Sequence, residues 1–185
     1  MANVNFYIDN LLFLLIIFHI KIMSKTEKYQ LLYEQVKALL NKEKDEIANM
    51  ANVAALIHET FNFWWTGFYR VIDNELVLGP FQGPIACTRI AYGKGVCGTS
   101  WKEAQTIVVK DVHEFPGHIA CSSASQSEIV VPMFKENQVV AVLDIDSEKL
   151  ATFDNIDKEW LEKIVGLFKN LRTSESQNFS EFLRF

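Results

Sequence analysis

The order in which the hydrophobic period changes along the chain constrains its fold more than any other feature. Apolar residues recur every three or four positions in residues 28–40, 46–58 and 154–171, which predicts three amphipathic helices. The segments between the second and third helices are rich in β-branched and aromatic residues, and no regular strand–helix–strand repeat occurs. The order therefore predicts an α/β protein of the α+β kind, a single domain whose mainly antiparallel central sheet is flanked by N- and C-terminal helices.

Six segments have the composition of strands. They are residues 64–72, 75–81, 86–91, 106–109, 129–135 and 138–146. Asp73-Asn74 separates the first two segments and Lys135-Glu136-Asn137 the last two, and both sequences are typical of tight hairpin turns. Residues 93–103 are predicted to form a loop that runs into a short helix, and Asp154 is predicted to cap the last helix.

Composition excludes several classes of protein. The 185 residues include 18 Lys and Arg against 23 Asp and Glu, a formal net charge of −5. An acidic chain lacks the basic face that nucleic-acid phosphates require, so no nucleic-acid partner is expected. Three cysteines are too few for a disulfide-stapled secreted scaffold, and a cytoplasmic location is expected.

The most hydrophobic run, LLFLLIIF at residues 11–18, lies near the N-terminus. It is too short to cross a membrane, which takes about 20 apolar residues. No basic segment precedes it and no Ala-x-Ala pattern follows it, as a signal peptide would require. From Met23 the chain becomes polar and helical in pattern, which predicts that residues 1–22 are an extension outside the domain. The competing interpretation is a weak membrane or partner anchor. Residues 172–185 are predicted to form a loose C-terminal tail.

Carboxylates converge at the end of the last predicted hairpin. Alternate residues of the final strand lie on opposite faces of the sheet. The core face is expected to carry Val139, Ala141, Leu143 and Ile145. The opposite face is expected to carry Val140, Val142, Asp144 and Asp146. Pairing through the 135–137 turn brings Glu128 opposite residues 144–146. Three carboxylates in one patch repel one another unless a cation or a shared proton intervenes. The pattern therefore predicts a site for an amine or a metal.

The cysteines Cys87, Cys97 and Cys121 form no C-x-x-C pair, which argues against a thioredoxin-type centre or a zinc ribbon. They could be buried core residues. However, Cys97 lies in the glycine-rich GKGVCG and Cys121 in the polar HIACSSAS, where a reactive thiol is equally plausible. His113 and His118 leave a Cys/His zinc site as an alternative, although the spacing matches no usual zinc motif.

Three aromatic residues, Trp64, Trp65 and Tyr69, open the first strand. Core packing is the usual role of aromatic residues on a strand. Alternation would place the two tryptophans on opposite faces, so at most one of them is expected to face a pocket shared with the acids.

Four blocks of sequence together resemble the free methionine-(R)-sulfoxide reductases, a family built on a GAF domain. The blocks are NFWWTGFYRV (62–71), LGPFQGPIACTRIAYGKGVCG (78–98), DVHEFPGHIACSSASQSEIVVP (111–132) and VLDIDS (142–147). The resemblance implies a single GAF domain over residues 23–171. It gives all three cysteines a counterpart in the family, together with the acids at positions 128, 144 and 146.

The resemblance also implies a reaction, the reduction of free L-methionine (R)-sulfoxide to methionine without a cofactor or a metal. Cys121 would attack the sulfoxide sulfur, and Cys87 or Cys97, with Cys87 favoured, would capture the resulting sulfenic acid as a disulfide that thioredoxin reduces.

The remaining implied roles concern the substrate. Glu128, Asp144 and Asp146 would hold the ammonium group and protonate the sulfoxide oxygen, and Trp65 or Trp64, with Tyr69, would accept the S-methyl group. A homodimer through the first and last helices is expected by analogy with other GAF domains. The alternative function is a non-catalytic GAF module that binds a small ligand.

Overall fold

The structure, a computed structural model, describes residues 23–117 and 123–170. The predicted N-terminal extension, the predicted tail, His118 and Cys121 lie outside the described residues. The helices are α1 (Lys25–Leu40), α2 (Glu46–Phe61), α3 (Gly95–Glu103) and α4 (Asn155–Gly166), with 3-10 turns at Val112–Glu114 and Leu167–Asn170. The strands are β1 (Trp65–Ile72), β2 (Glu75–Gln82), β3 (Arg89–Ala91), β4 (Ile107–Val109), β5 (Ser127–Lys135) and β6 (Gln138–Ser147).

The six strands form one sheet in the order β3-β2-β1-β6-β5-β4, and every neighbouring pair is antiparallel. Both predicted hairpins are confirmed. Asp73 and Asn74 have φ angles of 49° and 63°, and Glu136 and Asn137 have φ angles of 49° and 65°. Two consecutive residues with positive φ match the right-handed twist of the paired strands, and Asn and Asp tolerate this conformation better than most residues. The α+β fold predicted from the sequence is therefore confirmed.

Side-chain caps set the start of three helices. Ser24 and Glu27 form a reciprocal capping box on α1, and Asp45 caps α2. Asp154 accepts hydrogen bonds from the backbone N–H groups of Ile156 and Asp157, so the predicted cap of α4 is confirmed. Among the described residues, no helix is long and apolar enough to span a membrane.

Several predicted boundaries differ from those of the structure, and two of the differences shorten an element. The strand predicted over residues 86–91 is confined to β3, because the segment before Arg89 is held by side chains: the carbonyl oxygen of Cys87 accepts a hydrogen bond from the Tyr69 hydroxyl. The α-helical part of the last helix ends at Gly166, and a tighter turn continues it.

The sheet separates two apolar clusters. Helices α1, α2 and α4 pack on one face and bury the larger cluster, which includes Leu32, Val53, Phe68, Leu143, Ile145 and Leu161. The smaller cluster lies on the opposite face, around Leu76, Ile90, Val96, Val112, Val130 and Val142. The helix layer therefore leaves one face of the sheet available for a site.

Strand β6 follows the predicted alternation from Ala141 onward, but the prediction was wrong for its first two valines. Val139 packs against the smaller cluster and Val140 against the larger one. The pairing shifts between Met133 and Phe134, so that β6 carries an extra residue at this point. A bulge of this kind reverses the faces that alternate residues occupy.

Candidate functional site

A cavity lies on the sheet face opposite the helix layer, where β1, β6 and β5 run side by side. The predicted site residues that line it are Trp64, Trp65, Tyr69, Cys97, Glu128, Asp144 and Asp146. Strand pairing accounts for their convergence, because Asp146 lies opposite Trp65 on one neighbouring strand and opposite Glu128 on the other. The pairing of Glu128 with residues 144–146 is thus confirmed. The period-two alternation then places Asp144 two residues along the same face.

The acids of the cavity are packed closely and are largely buried. Glu128 is 6% exposed and Asp144 is 7% exposed. The thiol of Cys97 donates to Oε1 of Glu128 at 3.9 Å. Oδ1 of Asp144 is buried without a hydrogen-bond partner among the described residues. The hydroxyl of Ser125 donates to Oδ1 of Asp146. An acceptor without a hydrogen-bond partner among the described residues therefore belongs to a side chain that lines the cavity.

Burial is the main reason that the carboxyl groups have raised pKa values. Burial, reinforced by the charges of Asp144 and Asp146, raises the pKa of Glu128 well above its ordinary value. Burial and the charge of Asp146 do the same to the pKa of Asp144. Burial also raises the pKa of Asp146 from 3.8 to about 6, against the lowering effect of the Ser125 hydrogen bond. Like charges this close do not all ionise, so the cluster favours a proton or a cation.

Cys97 lies in the first turn of α3 and is 3% exposed. A Cβ on Gly98 would lie 2.5 Å from the carbonyl oxygen of Ala91, so the glycine allows the first turn to pack against β3. Burial, followed by the charges of Asp144 and Glu128, raises the pKa of the Cys97 thiol well above its ordinary value. A thiol in this environment stays protonated and is a weak nucleophile. Cys97 is a free thiol in the structure.

Cys87 is disulfide-bonded and half-buried against the smaller cluster. Two aromatic residues of β1 hold the loop that carries it. Nε1 of Trp65 donates to the carbonyl oxygen of Pro84 at 3.1 Å, and the hydroxyl of Tyr69 donates to the carbonyl oxygen of Cys87 at 2.9 Å. The loop is therefore fastened to the wall of the cavity.

The aromatic wall is built around Trp65, whose ring stacks on Phe81 and Tyr69 at centroid distances of 5.4 Å and 5.9 Å. Both Trp64 and Trp65 line the cavity, so the expectation that at most one would face it was wrong. β1 begins at Trp65, and the alternation of a strand does not apply to the residue before it. The backbone N–H of Trp64 donates to the carbonyl oxygen of Asp146 at 3.1 Å, which holds Trp64 beside the acids.

Sequence reasoning missed Ser125 and the wall formed by Pro84, Ile85 and Ala86. Both belong to loops without a period, so only the proximity of Ser125 to Glu128 in the chain offered a signal. The donor group that could hold a metal among the described residues consists of Cys97, Glu128 and Asp144. His113 is exposed on a 3-10 turn and does not line the cavity.

Known proteins share this fold and much of this sequence. A family model described as GAF domain matches residues 45–170. GAF domain-containing protein A of Dictyostelium discoideum is 56% identical over 148 residues, which cover 80% of this chain and 94% of that protein. Free methionine-R-sulfoxide reductase of Escherichia coli is 46% identical over 159 residues, which cover 85% and 96%.

A solved structure gives the same result in three dimensions. The X-ray structure of free methionine-R-sulfoxide reductase from Neisseria meningitidis, in complex with its substrate, is similar with a TM-score of 0.80 and 44% identity. The match covers 85% of this chain and 95% of that chain. The family model spans more than half of the chain, and both curated relatives cover more than two thirds of it. The chain therefore belongs to the GAF domain family, and its homologues include proteins named free methionine-R-sulfoxide reductase.

Proposed function

We propose that this protein reduces free L-methionine (R)-sulfoxide to L-methionine. The observation that carries the proposal is the convergence of buried acids, an aromatic wall and the Cys87 loop on one cavity. The homologues named free methionine-R-sulfoxide reductase support the same reaction.

Each part of the substrate has a matching wall. Glu128, Asp144 and Asp146 bind the ammonium group, which supplies the positive charge that the acids lack and a donor for the unpartnered Oδ1 of Asp144. Trp65 and Tyr69 contact the S-methyl group, because aromatic rings pack favourably against sulfur and methyl groups. Trp64 closes the wall beside Asp146.

The redox step uses two cysteines. Cys121 attacks the sulfoxide sulfur, a carboxyl group, in our assignment Glu128, delivers a proton to the sulfoxide oxygen, and methionine leaves while Cys121 becomes a sulfenic acid. Formation of the sulfenic acid completes the two-electron reduction of the substrate. The Cys87 thiol then displaces water from that sulfenic acid and forms a disulfide, which holds the two oxidising equivalents. A dithiol reductant, thioredoxin in this proposal, returns both thiols.

Two observations support Cys87 over Cys97 as the resolving thiol. Cys87 is disulfide-bonded in the structure, whereas Cys97 is free. Burial and the neighbouring acids also raise the pKa of the Cys97 thiol, which disfavours the thiolate needed for disulfide formation.

The proposal is tested by thioredoxin-coupled turnover of the resolved epimers of free methionine sulfoxide. We expect the wild-type protein to consume the (R) epimer and Cys121→Ser to be inactive. Cys87→Ser should release one equivalent of methionine per chain and then stop with a trappable sulfenic acid, while Cys97→Ser continues to turn over. Binding of methionine without any turnover by the wild-type protein would refute the enzyme and favour a ligand-binding GAF module.

A second test addresses recognition of the amine. N-acetylation removes the positive charge that the acids bind, so the turnover of N-acetyl-methionine sulfoxide should fall by at least about 100-fold. Equal turnover of the acetylated and free substrates would contradict the roles given to Glu128, Asp144 and Asp146.

A further inference from the structure

The cavity contains a donor set that suits a metal ion as well as an ammonium group. One ligand atom each from Cys97, Glu128 and Asp144 lies within 4.8 Å of the others, and all three residues are buried. We propose that these residues form a binding site for a divalent transition metal of the zinc type, and that occupancy of the site blocks the cavity. Metal binding itself is independent of the proposed function, while the inhibition that follows from it depends on that function.

The spacing of the donors is close to that of a tetrahedral site. With Zn–S near 2.3 Å and Zn–O near 2.1 Å, a tetrahedral angle separates sulfur and oxygen by about 3.6 Å. Sγ of Cys97 and Oε1 of Glu128 are 3.9 Å apart. This separation exceeds the tetrahedral value by only about 0.3 Å, and a donor atom of Asp144 lies within 4.8 Å of both.

An unpartnered atom at the same place points independently to a ligand. Oδ1 of Asp144 is buried and has no hydrogen-bond partner among the described residues, although Asp144 is only 7% exposed. Burying an acceptor without a partner is unfavourable, and a bound cation would remove that cost. Asp144 also lines the cavity, so its carboxylate belongs to the wall that an ion entering the cavity would meet.

The chemistry of the donors selects the class of metal. One thiolate and two carboxylates suit zinc and cobalt, whereas magnesium and calcium prefer sites made only of oxygen. Three protein ligands leave a fourth position open towards the cavity, where water completes the coordination. Asp146 adds negative charge beside the site without serving as a required ligand.

The disulfide at Cys87 allows metal binding at the proposed site to be distinguished from metal binding by other thiols of the protein. Because Cys87 is disulfide-bonded and Cys97 is free in the same structure, the donor set is complete in the oxidised protein. Protein oxidised until one thiol per chain can be titrated, and then freed of metal by a chelator, is therefore the material to use.

Cobalt(II) is the probe, because a thiolate ligand produces a charge-transfer band in the near ultraviolet and tetrahedral cobalt absorbs strongly in the visible. We expect the oxidised wild-type protein to show both features with one cobalt per chain, and zinc to remove them. Cys97→Ser should lose the charge-transfer band, and Asp144→Asn should weaken cobalt binding by at least about tenfold. Glu148→Gln, which changes an exposed acid just beyond β6, should bind cobalt like the wild type.

Circular dichroism establishes that each variant is folded, and Cys97→Ala serves as a second variant at the thiol. Absence of the charge-transfer band in the oxidised wild type, or its persistence in a folded Cys97 variant, would overturn the proposal. Free methionine is then added to the cobalt-bound protein. If methionine displaces the cobalt, the same acids bind both the metal ion and the ammonium group. If methionine leaves cobalt binding unchanged, the metal site stands, but the substrate-binding role of the acids is contradicted.

Discussion

Trp65 is fixed by close packing on both sides of its ring. A Cβ on Gly67 would lie 2.5 Å from the ring of Trp65 and 2.4 Å from Cβ of Phe81, and a Cβ on Gly83 would lie 2.8 Å from the same indole. The absence of side chains at these two glycines therefore determines where the aromatic wall stands.

Gly67→Ala should lower the free energy of unfolding by about 2 kcal/mol, because the added methyl overpacks a rigid contact. Urea unfolding measures this change. Gly166→Ala is the matched control, since a Cβ there meets nothing within 4 Å and alanine favours the helical conformation. The control should be neutral or up to about 1 kcal/mol more stable. An unchanged stability of Gly67→Ala would show that the wall is more adaptable than its packing indicates.

Tyr69 contributes both a ring to the wall and a hydroxyl to the Cys87 loop. Burial, reinforced by the charges around the cavity, raises the pKa of this hydroxyl, so it remains a donor to the carbonyl oxygen of Cys87. Tyr69→Phe keeps the ring but releases the loop. We expect disulfide formation to slow by about five- to tenfold, equivalent to one hydrogen bond of about 1 kcal/mol.

Rapid quenching followed by thiol titration measures that rate in a single turnover. Tyr92→Phe is the comparison, because this half-exposed tyrosine packs edge-on against Trp101 and does not line the cavity. Equal rates of disulfide formation in the wild type and Tyr69→Phe would show that the Tyr69 hydroxyl does not contribute to this step.

At the scale of single elements, the start of α4 joins both ends of the domain. Asp154 caps the helix, and Nζ of Lys25 at the beginning of α1 contacts both Asp154 and Asp157. Asp157 is fully buried and also accepts a hydrogen bond from the hydroxyl of Tyr29. The first and last helices are thus tied together by one small polar network.

Asp154→Ala should lower the free energy of unfolding by about 1 kcal/mol at neutral pH, because two backbone N–H groups lose their acceptor. Asp154→Asn keeps an acceptor and should lose less. Slight burial raises the pKa of Asp154, but the hydrogen bonds from Lys25 and from the helix backbone outweigh it and lower the pKa overall. A lowered folded pKa stabilises the protein above the unfolded value, and this stabilisation disappears as the pH falls through the folded value.

Urea unfolding of the wild type and Asp154→Ala at several pH values measures the difference. The gap between them should narrow in acid. If the difference in unfolding free energy between the two proteins stays constant as the pH falls, the effect comes from packing rather than from the charged cap.

Hairpins were predictable at this scale because their turn residues carry a local conformational preference. Asp73, Asn74 and Asn137 are of residue types that accept positive φ angles more readily than most, and Glu136 adopts such an angle beside Asn137. The short β3 and the bulge opposite Met133 were not predictable, since both arise from how a segment meets the rest of the sheet. Local periodicity contains no information about such adjustments.

Across the whole molecule, the sheet separates stability from chemistry. One face packs against three helices, while the other holds the cavity and its buried acids. The convergence of Glu128, Asp144 and Asp146 was predictable from alternation and hairpin pairing. Their burial and the joint placement of Trp64 and Trp65 were not, because these depend on loops that cover the sheet.

The buried acids should make the global stability fall as the pH rises. Burial raises the folded pKa of Asp146 from 3.8 to about 6, so the folded protein holds a proton that the unfolded chain releases between these values. A raised carboxyl pKa stabilises the fold below the unfolded value, and that stabilisation is lost as the pH rises through the folded value.

Asp146→Asn removes this titration while keeping an acceptor for Ser125. Between pH 4 and pH 7 we expect the variant to gain about 2–3 kcal/mol of stability relative to the wild type, because a pKa shift of about two units corresponds to about 3 kcal/mol. Urea unfolding in the presence of a chelator measures the gain, and Glu148→Gln is the exposed control. A difference that does not vary with pH would mean that Asp146 titrates normally.

The alternation along strand β6 has a consequence for how the sequence can change in evolution. Leu143 and Ile145 pack in the larger cluster, whereas Asp144 and Asp146, at the alternate positions, line the cavity. Because core packing and cavity lining fall on separate residues, substitutions can remove the acids of the cavity while the fold persists. A descendant of this chain that has lost these two acids would still be recognisable by the leucine and isoleucine that alternate with them.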